Sequence, residues 1–145
     1  MRNLTIKQCN IPITIKEIEL FEKKNNLLLP NYLKEFFLKY NASKIEESFY
    51  STQYWLEILP LLKNKFDTSV EDFLPWIRNP EFLIGRYDII PFAINQGGTP
   101  FMVSIGGEDE GIVYYSAVGL DENPLRKLAD SFEEFIDGLK SENEI

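Results

Sequence analysis

The apolar positions Ile15, Ile18 and Phe21 recur at helical spacing among charged neighbours, which predicts a helix running to about Asn25. Thr14-Ile15-Lys16-Glu17 opens it as a capping box: the threonine oxygen takes the amide of Glu17, and the glutamate reaches back. A second helix is predicted from Leu29-Pro30, because proline suits the first helical position, where its missing N–H costs nothing. Leu33, Phe36, Phe37 and Tyr40 then form one buried stripe. Asn41 is expected to end this helix in the left-handed conformation that asparagine tolerates.

The pattern then changes period. Ile45 to Tyr50 and Tyr54 to Leu59 are rich in aromatic and β-branched residues and read as strands. Ser69 to Leu74 predicts a short helix, capped by Ser69 or Thr68 and closed before Pro75. Trp76 to Tyr87 reads as an ordered connection. Ile89 to Ile94 is an apolar run, and Gln96-Gly97-Gly98 turns the chain. Phe101, Val103 and Ile105 alternate with Met102 and Ser104, predicting a strand with one core face. Gly106 to Gly111 turns again before Ile112 to Ala117 returns, which completes a β-meander. Ser131-Phe132-Glu133-Glu134 is a second capping box, and Leu128, Phe132, Phe135, Ile136 and Leu139 supply the apolar side of a last helix. The order is helices, strands, then a final helix. It predicts an α+β fold, a mainly antiparallel sheet flanked by helices, in a single domain over residues 1–145 with mobile ends near 1–10 and 141–145.

Composition narrows the chemistry. The chain of 145 residues contains no histidine and one cysteine, Cys9. Histidine-dependent nucleophile activation, histidine-ligated zinc and internal disulfides are therefore excluded. Cys9 reads as a small apolar residue near the chain end. No stretch approaches the roughly 20 apolar residues of a membrane helix, and no apolar run follows the basic residues of Met1 to Lys7. A soluble, cytoplasmic protein is expected, with no membrane partner. Acidic residues outnumber basic ones 23 to 15, giving a net charge of −8, which repels phosphate backbones and favours a basic partner.

Three features invite a functional reading. Gly97-Gly98 resembles a phosphate cradle, but a strand rather than a helix follows it, so turn glycines are the better assignment. Glu108-Asp109-Glu110 lacks the alternating ligands of a calcium loop. It reads as a solvated hairpin tip that concentrates negative potential against a partner. Glu46-Glu47, Glu71-Asp72 and Asp121-Glu122 read as ordinary acidic surface. Trp55 is expected in the core, and Trp76 beside Pro75 is a candidate contact. No catalytic pair, cofactor site or metal site is assigned.

The segments IKEIELFEKKNNLLLPNYLKEFFLKYN (15–41), IIPFAINQGGTPFMVSI (89–105), GIVYYS (111–116) and LADSFEEFIDGL (128–139) together resemble the SUKH superfamily, in its Smi/Knr-type group of cell-wall assembly regulator-like proteins. One departure stands out: Asn41-Ala42-Ser43 occupies a place where the family often has Asn-Gly-Gly. The resemblance implies a sheet flanked by helices, with the glycines and Phe132 as fold determinants. It also implies that many bacterial members are cytosolic immunity proteins that bind toxin domains, often nucleases, while fungal relatives act as signalling or scaffolding partners. It carries no general catalytic motif. The leading expectation is a non-catalytic immunity protein that neutralises a cognate, basic toxin domain, with nucleases the class in view. Glu108, Asp109, Glu110, Asp121 and Glu122 would steer and pair with that toxin, and Tyr114 and Trp76 would supply apolar contact. The alternatives are an intracellular scaffold or regulatory protein-binding module, and a carboxylate-dependent enzyme.

Overall fold

A computed structural model describes residues 1–8, 11–82 and 84–145, so Cys9 lies outside the described residues. Two helices come first, α1 (Ile15–Asn25) and α2 (Asn31–Tyr40). Three two-residue strands follow: β1 (Phe49–Tyr50), β2 (Tyr54–Trp55) and β3 (Glu57–Ile58). Helix α3 (Val70–Arg78) and a 3-10 turn (Pro80–Phe82) lead into β4 (Ile89–Ile94), β5 (Pro100–Ser104), β6 (Val113–Ser116) and β7 (Leu125–Ala129). The chain closes with α4 (Phe132–Asp137), β8 (Leu139–Lys140) and a 3-10 turn (Glu142–Glu144). Among the described residues these strands form two antiparallel sheets, ordered β3-β4-β5-β6-β7 and β2-β1-β8. The fold is α+β, as the order of patterns predicts.

The capping boxes at Thr14 and Ser69 both form. At α4 only half of the box is made. Ser131 Oγ accepts from the Glu134 amide at 3.0 Å, while Glu134 reaches back to the Asp130 amide instead. Helix α4 is also shorter than its apolar pattern suggests, because Leu128 belongs to β7 and Leu139 to β8. Helix α3 runs through Pro75 rather than stopping before it. One backbone bond is forfeited there, and Ile77 beyond the proline is fully buried against Ile89 and Met102. That packing outweighs the local penalty.

The same packing corrects the expectation of a one-faced strand: every residue of β5 is buried. Phe101 and Val103 join the main core with Ile90, Phe92 and the helices α1, α2 and α4. Met102 faces α3 in a smaller cluster with Ile77 and Ile89. The strand predicted over Tyr54 to Leu59 is in fact two, and Leu56 between them hands the chain from one sheet to the other.

In two of the acidic pairs one member is not solvated surface, while Glu46 and Asp72 are exposed as expected. Glu47 and Glu71 are each only 6% exposed. Glu47 accepts from the Thr5 amide (2.7 Å) and hydroxyl (2.9 Å). Glu71 accepts from the Lys63 amide and Asn25 Nδ2, both at 3.0 Å. Burial alone would raise the Glu71 carboxyl, but these donors and Lys24 outweigh it and hold the group below its ordinary value. Both glutamates supply acceptors to loop amides that the sheets leave unpaired. The segment before α1 is tied down further by the Leu4 amide donating to Tyr40 Oη at 2.9 Å and the Arg2 amide donating to Asp137 at 2.7 Å.

Asn41 does not take the left-handed conformation; its φ is −50°. Ala42 takes it instead, with φ of 56°, and donates its amide to the Leu59 carbonyl at 3.2 Å. A side chain in this region costs roughly 1–2 kcal/mol, part of which glycine gives back through unfolded-state entropy. Ala42→Gly is therefore expected to stabilise the protein by about 0.5–1 kcal/mol, read as a higher urea midpoint. A lower midpoint would show that the strain at Ala42 is already relieved by its surroundings.

Candidate functional site

Strand pairing sorts the residues singled out from sequence into two groups. In the antiparallel β5-β6 pair, Phe101 faces Tyr115 and Val103 faces Val113. The 105–112 connection, with Glu108, Asp109 and Glu110, therefore lies at one end of the sheet. The 95–99 turn and the 117–124 connection, with Asp121 and Glu122, lie at the other. The length of β6 separates the two ends by about 10 Å.

At the first end the three acidic residues do different things. Glu108 and Glu110 are exposed. Asp109 turns inward, where Arg86 grips it with Nη1 at 2.7 Å from one oxygen and Nη2 at 2.8 Å from the other. Tyr114 Oη donates to the same carboxylate at 2.6 Å, and Ser104 Oγ lies 2.8 Å from it. Arg86 also holds Asp88 through Nε at 2.9 Å. Gly107 lets the turn close over this cluster, because its φ of +81° is a backbone conformation that side chains rarely adopt. The Arg86 hydrogen bonds hold the Asp109 carboxyl far below the ordinary range, against the opposing effect of burial. A carboxylate so held is a poor proton acceptor, so this cluster is a clasp joining the start of β4 to the β5-β6 connection. Among the described residues no group of three or more acidic or sulfur ligands is placed to hold a metal ion.

The second end is apolar and open. A depression of about 390 Å³ is lined by Tyr54, Trp55, Asn95, Tyr115, Leu120 and Arg126, among others. A second, of about 450 Å³, is lined by Phe73, Trp76, Thr99, Pro100, Val118 and Leu120, among others. Leu120 belongs to both and is 70% exposed. Trp76 meets Phe73 edge-on (ring centroids 6.3 Å apart) and Phe82 at a tilt (5.9 Å). Asp121 is engaged by Arg126 at 3.0 Å, whereas Glu122 stands in solvent. The groups on offer make hydrogen bonds and apolar contacts.

The structure thus joins Tyr114 to Asp109 and brings Trp76 to the end that carries Asp121 and Glu122. It does not bring Glu108 or Glu110 to that end. Sequence reasoning missed Leu120 and Phe82 and placed Trp55 in the core, whereas Trp55 is half-buried and lines the first depression. The available signal was Leu120 itself, a lone apolar side chain in the polar turn Gly119-Leu120-Asp121-Glu122-Asn123-Pro124.

These features define a helix-flanked α+β domain with an apolar, open end and a clasped opposite end. A family model, that of the SMI1 / KNR4 family (SUKH-1), matches residues 12–138. The chain belongs to the SMI1 / KNR4 family (SUKH-1). No curated protein matches it. None of the helices in the described residues is long and apolar enough to cross a membrane.

Proposed function

We propose that this chain is a bacterial immunity protein that binds a cognate toxin domain in the cytoplasm and neutralises it without chemistry of its own. The observation that carries this reading is the net charge of −8 displayed on an SMI1 / KNR4 frame. A toxin that attacks nucleic acid must attract phosphate, so its active cleft is basic, and a nuclease is the toxin class that matches best. An acidic protein can occupy that field. Complementary charge raises association toward roughly 10⁸–10⁹ M⁻¹s⁻¹ at low salt, which matters when each free toxin molecule does damage. Glu108 and Glu110, exposed at one end, and Glu122 at the other contribute to this steering. Asp109 contributes its charge but spends its hydrogen bonds within the fold.

Co-expression with candidate toxin domains, those encoded by neighbouring genes first, tests the reading. Restored growth and a complex that survives gel filtration are expected. Unchanged toxicity without a complex would remove its support. Specific retention of a signalling or cell-wall protein in a cell with no such toxin gene would favour the scaffold reading instead.

A further inference from the structure

We propose that the open end of the five-stranded sheet, a strip running Phe82–Trp76–Leu120–Trp55, is the surface on which the partner sits. The occupant is a protein surface with a basic rim that presents an apolar side chain beside Leu120. The inference rests on the reading of the chain as a toxin-binding protein and names the contact surface which that reading leaves open.

Three observations carry it. First, Leu120 is held out in water at the junction of two depressions, each of which contains a tryptophan. Phe66 (88% exposed) and Leu28 (78%) are barer still, but neither shares a depression with a tryptophan. Tryptophan-lined pockets with an apolar centre are where binding energy concentrates in protein interfaces.

Second, the loop is built before any partner arrives. The Leu120 and Asp121 amides both donate to the Ala117 carbonyl, at 2.9 and 3.1 Å, and the Ala117 amide donates to Pro124 at 2.8 Å. The neighbouring turn is pinned by Asn95, whose side chain accepts from the Thr99 amide (2.8 Å) and donates to Tyr115 Oη (2.7 Å). Little order remains to be imposed on binding.

Third, the rim is negative. Asp72, Glu81 and Glu122 have no ion-pair partner among the described residues, while Arg126, which lines the first depression, is paired with Asp121. A second copy of this chain would bring like charges together, and a nucleic-acid backbone would meet the same repulsion. A basic protein surface meets complementary charge around an apolar centre.

The test immobilises a catalytically silenced form of the cognate toxin domain, identified by co-expression as above, and follows binding kinetics at low and high salt. Leu120 is exposed, so Leu120→Asp should keep the wild-type unfolding midpoint. It should weaken binding about 30-fold or more, mainly through faster dissociation. Glu81→Lys with Glu122→Lys should slow association several-fold at low salt and little at high salt. If Leu120→Asp binds as tightly as wild type while Glu108→Lys with Glu110→Lys loses binding, the surface is wrong and the immunity reading stands. If wild type itself fails to bind, the immunity reading falls and this inference with it. A concentration-dependent dimer in sedimentation that Leu120→Asp abolishes would also overturn the proposal, since the occupant would then be a second copy.

Discussion

Phe92→Ala is expected to lower the unfolding free energy by about 4 kcal/mol. Phe92 is fully buried in β4, with its ring centroid 6.2 Å from Phe36 of α2 and 5.0 and 5.5 Å from Phe132 and Phe135 of α4. It joins the sheet to both α2 and α4. Phe36 and Phe132 also contact each other at 5.1 Å, so they brace the walls of the space that alanine would leave. A cavity that cannot collapse loses transfer energy and contacts together, which keeps this site off the lower end of the usual range of about 3–5 kcal/mol. Urea unfolding measures the change, and Phe92→Leu should recover roughly half of it. A loss below about 1 kcal/mol for alanine would show that α2 and α4 close over the gap.

Asp109→Ala is the second large effect, at about 2–3 kcal/mol. It removes the acceptor for two Arg86 nitrogens and the Tyr114 hydroxyl, and leaves a partly buried guanidinium with Asp88 as its remaining counter-charge and Ser104 Oγ and the Gly106 carbonyl as neutral acceptors. The exposed neighbours give the contrast: Glu108→Lys and Glu110→Lys should each stay within about 0.5 kcal/mol of wild type. The pH dependence is specific. Because the folded carboxyl lies far below its ordinary range, the Asp109 contribution is present above the unfolded value near pH 4 and is lost as pH falls below it. Burial and the Asp109 hydrogen bond push the Tyr114 phenol up to about 12. Its contribution is therefore complete below the unfolded value near pH 10 and is lost as pH rises through 12. The stability gap between wild type and Asp109→Ala should be level from about pH 5 to 9 and narrow on both sides. A gap that does not change with pH would mean that the clasp is not ionic.

Much of the frame was legible because it is written locally. The box at Thr14, the cap at Ser69, the stripe Leu33-Phe36-Phe37-Tyr40 and the glycine-punctuated meander each carry their own signal. What escaped is set by contacts distant in sequence. Pro75 stays inside α3 because Ile77 is wanted under the sheet, and β5 is buried on both faces because α3 covers the second. Glu47 and Glu71 are drawn inside by backbone amides at Thr5 and Lys63 that no sequence pattern marks as unpaired. The site follows the same division. Three adjacent carboxylates could be read as a charged tip, but only the position of Arg86, 23 residues before Asp109 in the chain, separates the structural one from the two exposed ones. The aromatic end is assembled from β2, α3 and two turns, so its residues are adjacent only once the sheet has formed.

The departure at Asn41-Ala42-Ser43 has a physical meaning as well. Ala42 occupies a left-handed position where glycine carries no side-chain penalty, and its amide still reaches Leu59. The turn is made at some cost in strain.

The central claim, that this chain acts by occupying a toxin and not by transforming anything, is tested most directly by titrating it into a fixed amount of the active cognate toxin domain that the proposal assigns to it. The account predicts toxin activity falling linearly to zero at one chain per toxin, with full activity returning when the complex is dissociated. Silencing at far fewer chains than toxin molecules, or toxin that stays inactive after separation, would contradict it.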